Sequence, residues 1–355
     1  MAALLRDDTC RICGDGYIGD RTFAQLTHVL FMNYRNMAQL SDAIWSWSAS
    51  LPADIDLIVG IPRSGLLAAN LVALYRNLPL TDLEGFIEGR SITTGRRFAR
   101  DRLADSAKPW KVLVVDDSVQ TGGAMAEAKS RIAAANLPHD ILYGAVYVGP
   151  GSDRHVDLFA ETVPLPRMFE WNFLHLKRNA RVCMSIDGIL CYDPPVGAHK
   201  NAAHYKELLV CAKPLHIPTK KVGWLVTCRA EKYRQLTEEW LARQGVEYGE
   251  LIMVDLPEKN AHRAPGSSSA FKAQVYRRTG ASLFYESSLF QAVQIANIAL
   301  KPVFCVDTRQ MIYPGSVPQD RHSVPPPWKV GYANKIARRV NKMLNRVKRP
   351  SISRA

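Results

Sequence analysis

Two adjacent carboxylates and a short polar loop mark the stretch KVLVVDDSVQTGGAM, which runs from Lys111 to Met125. The acids, Asp116 and Asp117, follow an apolar run that is typical of a buried strand. The residues after them can turn so that successive backbone N–H groups and a helix N-terminus face one anion. This predicted cradle consists of Ser118, Val119, Gln120, Thr121, Gly122 and Gly123.

The two acids cannot bind a phosphate themselves, but carboxylates accept hydrogen bonds from sugar hydroxyls. A phosphate cradle with hydroxyl acceptors directly before it predicts a site for ribose 5-phosphate. The alternative is an acidic turn that only caps a helix, because Asp and Ser are common N-cap residues.

A second loop of the same character occurs earlier, in the sequence GIPRSGL. There Arg63 and the backbone N–H groups of Ser64 and Gly65 are suited to a diphosphate. Between the two loops, the segment EGRSITTGRRFARDR contains five arginines, among them Arg96 and Arg97. These arginines either close over a diphosphate or belong to a solvated loop.

Alternating strands and helices are expected to position these loops. Apolar runs at residues 56–61, 111–115 and 141–148 predict strands, and segments with helical spacing follow the first two of them. Such alternation predicts a parallel sheet that binds ligands at the carboxyl ends of its strands. Both loops fall at such ends.

The first half of the sequence resembles the type I phosphoribosyltransferases. In that family, a strand with two acids and a Thr-Gly-Gly-type loop binds phosphoribosyl pyrophosphate (PRPP), and an earlier loop binds its diphosphate. The resemblance implies that Asp116 and Asp117 are catalytic and bind the ribose hydroxyls. It also implies that Mg²⁺ is held mostly by ligand oxygens and waters, and that Arg96 and Arg97 belong to a mobile flap.

The acceptor is not identified by these loops. Residues 166–175, PRMFEWNFLH, lie where the family forms its variable hood. Phe169 and Trp171 are available there for stacking on an acceptor, or they serve as core or domain-packing residues.

The second half of the sequence resembles the haloacid-dehalogenase (HAD) type of phosphatase. The elements of that resemblance, in order, are Ser185-Ile186-Asp187, Thr227, Lys272 and Glu286. It implies that Ser185 and Asp187 occupy the catalytic positions, that Thr227 and Lys272 bind phosphate, and that Asp187 and Glu286 hold Mg²⁺.

This part departs from the family at the nucleophile. Where the family has an attacking aspartate, the sequence has Ser185, whose hydroxyl is a poor nucleophile without an activating base. Little phosphatase turnover is therefore expected. A naturally degenerate domain and a substitution introduced to trap substrate both explain the serine.

Other polar residues are weaker candidates. About 30 residues between the first two phosphatase-like motifs are long enough for a small cap, in which Asp193, His199 and His204 either contact substrate or are simply exposed. Cys10 and Cys13 form a single CxxC, and a zinc site needs about four ligands, so no metal is assigned to them.

The pairing of the two halves suggests a function. A phosphoribosyltransferase leaves a 5-phosphate on its product, and a phosphatase on the same chain would remove it. This arrangement resembles the bifunctional proteins that supply ribofuranose to bacterial surface polysaccharides, which implies a glycan acceptor on a lipid carrier. Two alternatives remain open: nucleobase salvage or biosynthesis with a regulatory second domain, and a PRPP sensor that regulates a partner.

The expected fold class is α/β, with two Rossmann-like parallel-sheet domains. The predicted boundaries are 1–178 for a phosphoribosyltransferase fold, 179–312 for a HAD-like fold with a small cap, 313–330 for a Pro-rich linker and 331–355 for a basic amphipathic helix.

The tail holds most of the net charge of +13, because nine Lys or Arg and no acid lie between residues 329 and 354. The globular part has no basic stripe, so no nucleic-acid partner is expected. The tail suits an anionic membrane surface, a partner protein or a solvated role. The seven cysteines lack disulfide-like spacing, and the N-terminus does not resemble a secretion signal, so a cytoplasmic location is expected. If the tail binds the membrane, the protein would be peripheral at its inner face.

Overall fold

The computed structural model describes residues 31–90, 109–195, 197–255 and 266–317. Four features predicted from the sequence lie outside these ranges: the flap arginines Arg96 and Arg97, the pair Cys10 and Cys13, most of the Pro-rich segment, and the basic tail. Among the described residues, no helix combines the length and the apolar character needed to cross a bilayer.

The first unit is built on a five-stranded parallel sheet with the order β3-β2-β4-β5-β6, beside which β1 and β7 form a separate parallel pair. Its strands are β1 (Asn33–Arg35), β2 (Leu57–Gly60), β3 (Leu80–Asp82), β4 (Lys111–Val119), β5 (Asp140–Val148), β6 (Leu158–Thr162) and β7 (Arg167–Phe169). Its α-helices are α1 (Met37–Ser50), α2 (Ser64–Arg76), α3 (Leu83–Ile87) and α4 (Gly123–Ala134).

The central strand β4 is buried along most of its length, because apolar clusters cover both faces of the sheet. The strand extends beyond the predicted run at 111–115. Ser118 and Val119 still pair with β5, opposite Tyr147 and Val148, so the strand includes both acids. Strand pairing therefore holds the acids in extended backbone rather than in a loop.

The second unit contains a six-stranded sheet with the order β10-β9-β8-β11-β12-β13, in which only the β12–β13 pair is antiparallel. Its strands are β8 (Val182–Ser185), β9 (Val222–Ala230), β10 (Tyr248–Val254), β11 (Leu283–Glu286), β12 (Val303–Cys305) and β13 (Gln310–Ile312). Its α-helices are α5 (Ala202–Val210), α6 (Arg234–Arg243), α7 (Ser267–Arg278) and α8 (Leu289–Ala299).

The insertion predicted to form a cap lies between β8 and β9 and contains α5 and a 3-10 turn at Ala198–Lys200. Further 3-10 turns are Asp153–His155, Phe173–His175, Lys177–Arg181 and Glu231–Tyr233. The prediction of two α/β units with parallel sheets is confirmed by this architecture. The predicted domain boundaries stay predictions, although the boundary at 178 falls within the turn at Lys177–Arg181.

The β1–β7 pair connects the two units. Met32 and Met168 of the first unit belong to the same buried cluster as one face of the second sheet. At this contact, Phe173 packs edge-on against Tyr285 and Phe304, with ring centroids 5.4 and 5.0 Å apart. The segment that leads from β7 into the second unit is therefore part of a shared apolar core.

Candidate functional site

The acid pair lies near the end of β4, and both side chains are buried: Asp116 is 8% exposed and Asp117 is 3% exposed. Side chains alternate across a strand, so neighbouring residues point to opposite faces of the sheet. The two carboxylates consequently have different surroundings, which the sequence alone did not reveal.

Asp117 is held by hydroxyl and indole donors from two separate loops. The Ser64 hydroxyl donates to Oδ1 at 2.7 Å, and the indole N–H of Trp171 donates to Oδ2 at 2.6 Å. Ser64 lies in the predicted diphosphate loop and Trp171 lies in the predicted hood. Both loops therefore meet at this carboxylate.

Asp116 accepts a hydrogen bond from the backbone N–H of Asp117 at 2.8 Å. Burial, and secondarily the neighbouring charge of Asp117, raise the pKa of Asp116 to about 8. Asp116 is therefore largely protonated near neutral pH. A ligand that supplies hydrogen-bond donors or positive charge would favour its ionised form.

Only part of the predicted cradle is a turn: Ser118 and Val119 still belong to β4, and residues 120–122 form the turn that leads into α4 at Gly123. Gly122 is the N-cap of α4 and has a φ of +78°, a conformation that favours glycine. A Cβ at this position would lie 2.5 Å from the His155 ring, so the turn has no room for a side chain. The Ser152 hydroxyl donates to the carbonyl of Gln120 at 2.6 Å and fixes the approach to the turn.

A cavity of about 230 Å³ opens at this turn. It brings together Asp116 and all six predicted cradle residues, Ser118, Val119, Gln120, Thr121, Gly122 and Gly123, with Ala124, Met125 and Arg167. The first N–H groups of α4 have no partners within the helix, as at any helix N-terminus. The cavity can therefore accept an anion of phosphate size next to an acid.

Arg167 is a residue of this cavity that the sequence interpretation missed. It lies on β7, is buried, and donates to the carbonyls of Val119 and Val163 at 3.2 and 3.3 Å. Burial lowers the pKa of Arg167 from its usual value, while Asp117 opposes this shift. The sequence did contain a sign of this role, because Arg167 is a lone arginine in an apolar stretch and a buried arginine requires polar partners.

The earlier loop follows β2 and leads into α2. Arg63 is exposed and is joined to Pro62 by a cis peptide bond. A Cβ on Gly65 would lie 2.8 Å from the Val115 carbonyl oxygen, so glycine permits the close approach of α2 to β4. Because β2 pairs directly with β4, the structure brings Ser64 and Gly65 to the acid pair, as the sequence predicts.

A second candidate site lies at the strand ends of the second unit, where β9, β8 and β11 are neighbours. It is a cavity of about 500 Å³ that contains all five of the residues predicted there: Ser185, Asp187, Thr227, Lys272 and Glu286. Asp193 and His199 from the insertion line it too, whereas His204 lies outside it on α5.

Asp187 is paired with Arg229, which is only 2% exposed. The guanidinium donates to Asp187 through Nη2 at 2.6 Å and through Nε at 3.1 Å, and the Thr227 hydroxyl donates at 3.2 Å. Burial would raise the pKa of Asp187, but the charge of Arg229 brings it below its usual value. Arg229 was missed in the sequence, although a buried arginine two residues after Thr227 requires an acidic partner.

Glu286 is paired with Lys272 in the same way. The ammonium group donates to Oε2 at 2.7 Å and to Gln291 at 3.1 Å, and the Ser185 hydroxyl donates to Oε2 at 2.7 Å. Burial would raise the pKa of Glu286, yet Lys272 lowers it below its usual value. The carboxylate is thus a weak base and does not activate the serine.

The metal predicted for this second site does not fit the side chains as they lie. Each of the two carboxylates assigned to Mg²⁺ is occupied by a cation, Arg229 at Asp187 and Lys272 at Glu286. Within the described ranges, no group of three His, Cys, Asp or Glu side chains comes together as a metal site. Mg²⁺ at the second site therefore stays a prediction from the resemblance.

No protein-family model and no curated protein matches this sequence. Similar solved structures include a purine phosphoribosyltransferase from Pyrococcus horikoshii, with 18% identity, a TM-score of 0.29, and coverage of 39% of this chain and 93% of that one. A xanthine-guanine-hypoxanthine phosphoribosyltransferase from Helicobacter pylori has 12% identity and a TM-score of 0.29, over 40% of this chain and 95% of that one.

An orotate phosphoribosyltransferase from Aeropyrum pernix has 17% identity and a TM-score of 0.25, with coverage of 35% of this chain and 69% of that one. All three similarities are at low identity and partial coverage.

Proposed function

We propose that the first unit transfers a 5-phosphoribosyl group from PRPP to an acceptor. One observation carries this proposal: a buried acid pair and a phosphate-sized cavity at a helix N-terminus share the end of one strand. Asp116 lines the cavity, so a phosphate in the cradle would place its ribose beside the acids. The loop with Arg63 follows the neighbouring strand and is available for the diphosphate.

In the proposed reaction, the bond between ribose C1 and the diphosphate oxygen breaks while a bond to an acceptor oxygen forms. The acceptor proton leaves to the diphosphate or to water. Asp116 and Asp117 accept hydrogen bonds from the ribose hydroxyls and stabilise the positive charge that develops on the ring. Mg²⁺, when bound, would neutralise the diphosphate and would be held mostly by diphosphate oxygens and waters.

The proposed acceptor is a lipid-linked glycan, and the proposed product is a precursor of a ribofuranose-containing bacterial polysaccharide. Support comes from the second unit, where the residues expected for a phosphatase meet in one cavity. That unit would remove the 5-phosphate in a complete enzyme. Ser185 leaves it without an attacking carboxylate, so we propose that this chain keeps the phosphate on its product.

The experiment combines PRPP and Mg²⁺ with a panel of synthetic or lipid-linked glycans and of nucleobases. Diphosphate release is measured, and the product mass identifies the acceptor. A glycan product that retains its 5-phosphate supports the whole proposal. A nucleotide product would replace it with nucleobase salvage or biosynthesis, and the absence of diphosphate release with every acceptor would contradict transferase activity.

We also propose that residues 331–355 bind an anionic membrane surface, which is where a lipid-linked acceptor would lie. The support is the sequence alone, in which basic residues surround an apolar helical face. Deleting the segment should weaken binding to anionic vesicles, since each basic residue near such a surface contributes about 1 kcal/mol. Equal binding by the full-length and shortened chains in low salt would contradict membrane contact.

A further inference from the structure

Trp171, which follows β7, is an aromatic residue that contacts the acid pair directly. Its ring stacks on Phe169 with centroids 5.0 Å apart and an interplanar angle of 6°. Phe169 stacks in turn on Tyr147 of β5, at 5.3 Å and 17°. This aromatic stack fixes the orientation of the indole, and with it the direction of the N–H that reaches Asp117 at 2.6 Å.

We propose that Trp171 is a positioning residue for Asp117 and not a platform on which the acceptor stacks. Resting on the proposed function, this inference specifies how the ribose-binding acid is held. One carboxylate oxygen is bonded to Ser64 and the other to Trp171, from opposite sides of the site. A carboxylate has about four lone-pair sites, so each oxygen can still accept a ribose hydroxyl.

The turn that contains Trp171 is tied to both units through Glu170. One oxygen of the Glu170 carboxylate accepts from Arg309 at 2.9 Å, and the other accepts from the backbone N–H of Met37 at 2.9 Å. Arg309 lies in the turn between β12 and β13, so the second unit contributes directly to this support. The Glu170 N–H also donates to the Arg35 carbonyl at 3.0 Å, which fixes the backbone beside Trp171.

This geometry separates two roles for the indole. A positioning residue affects ligands that present ribose hydroxyls to Asp117, whereas an acceptor platform affects only the acceptor. General disruption of the unit would weaken every ligand, including diphosphate at the Arg63 loop. Comparing PRPP, ribose 5-phosphate and diphosphate therefore distinguishes a specific effect from loss of structure.

The test measures the Kd of each ligand for the full chain in the presence of Mg²⁺. Trp171→Phe keeps an aromatic ring against Phe169 but removes the N–H. We expect the Kd values of PRPP and ribose 5-phosphate to rise about 10-fold or more, as for a lost hydrogen bond to a charged group, and the Kd of diphosphate to stay within about 2-fold. Unchanged binding of the two ribose ligands, or equal weakening of all three, would overturn the proposal.

The matched control is Trp110→Phe, which makes the same substitution just before the opposite end of β4. Trp110 stacks on His139 with centroids 4.9 Å apart and has no place in the acid site. All three Kd values should equal those of the parent chain. A weakening by the control as large as that by Trp171→Phe would also overturn the proposal.

A spectroscopic measurement keeps the inference testable if the parent chain fails to bind PRPP, which would contradict the proposed function separately. The chain has seven tryptophans, and Trp171→Phe assigns the indole ¹H–¹⁵N resonance of Trp171 by its loss. Asp117→Asn should shift that resonance upfield, because a neutral amide oxygen is a weaker acceptor than a carboxylate. An unmoved resonance would show that the indole does not hold Asp117.

Discussion

The two units each place a pair of acids at the carboxyl ends of parallel strands, but they balance the charges differently. In the first unit, Asp116 and Asp117 are adjacent, and they accept hydrogen bonds from a hydroxyl, an indole and a backbone N–H. Over the described ranges, neither forms a salt bridge with a lysine or arginine within 4 Å. In the second unit, Arg229 pairs with Asp187 and Lys272 pairs with Glu286.

This difference indicates which of the two sites lacks counter-charges that a ligand could supply. Burial, and secondarily the repulsion between two carboxylates without a salt bridge, raise the pKa of Asp116. Donors and positive charge brought by a ligand would relieve that repulsion. The second pair has its counter-charges already within the protein, so its charges are neutralised without a ligand.

The largest expected effect is on transfer itself. Replacing both acids, Asp116→Asn with Asp117→Asn, should reduce PRPP-dependent diphosphate release by on the order of 10³-fold or more, because the developing ring charge loses its stabilisation. Circular dichroism should show an intact fold. The control is Asp54→Asn, at an exposed carboxylate that pairs with Lys111 at the other end of β4. Full activity in the double variant would remove the PRPP interpretation.

The second effect is a gain of activity. Ser185→Asp would place a third carboxylate beside Lys272 and Glu286, which supplies the nucleophile that attacks phosphorus and would add an oxygen ligand for Mg²⁺. We expect a Mg²⁺-dependent loss of about 80 Da, the mass of one phosphoryl group, from each 5-phosphoribosyl product. Product masses provide the measurement.

Ser185→Asn is the matched control, because it has nearly the same shape but no charge, and it should stay inactive. Adding Asp187→Asn to Ser185→Asp should cripple the restored activity, because the leaving alkoxide would lose its proton donor. If Ser185→Asp stays inert while Mg²⁺ is bound, the second unit is not a dormant phosphatase for this product.

The third effect is on stability. Glu286→Gln leaves the ammonium of Lys272 buried without its counter-charge, and breaking such a buried pair costs about 3–5 kcal/mol. Urea unfolding should show this loss. Glu207→Gln changes an exposed glutamate of α5 in the same unit and should stay within about 0.5 kcal/mol of the parent. Equal stabilities of Glu286→Gln and the parent would contradict the pairing.

The fourth effect is a pH dependence of the free energy of unfolding, which should have one sign for Asp116 and the other for Asp187. The folded-state pKa of Asp116 is raised from 3.8 to about 8, so the native state binds the extra proton between these values. Stability should therefore fall as pH rises through this window, and Asp116→Asn should abolish that fall. Relative to the parent, the variant should become progressively more stable from pH 5 to pH 8 in urea unfolding. Parallel pH curves would contradict the burial of an unpaired acid.

A control for this measurement is Asp153→Asn, an exposed aspartate of the first unit, which should keep the parental pH curve. For Asp187, the expected pH dependence of stability has the opposite sign. Because its pKa is lowered, its contribution to stability is present above its usual pKa and is lost as pH falls further. The two acids should thus have opposite pH dependences in one chain.

Much of the fold and of both sites could be predicted from the sequence. The alternation of apolar runs and helical segments indicated parallel sheets, and in such sheets the residues after each strand meet at one edge. For this reason Ser64, Gly65 and the acid pair come together, as do Ser185, Thr227 and Glu286, although they are distant in sequence.

The partners of the acids depended on the tertiary structure. Arg167 and Arg229 reach the sites from strands whose sequences resemble ordinary core segments, and they were not identified from the sequence. Trp171 was identified as a candidate, but its hydrogen bond to Asp117 was not predicted. The pattern of a sequence specifies which residues lie at the edge of a sheet, but it does not specify which side chains meet there.

The sequence by itself determined which acids, hydroxyls and glycines lie at the strand ends, because strand and turn propensities act over a few neighbouring residues. Only the tertiary structure decided which of these acids is neutralised. The charge of a buried carboxylate depends on donors and cations within a few ångströms, and folding brought those to Asp187 and Glu286 but left Asp116 without a salt bridge.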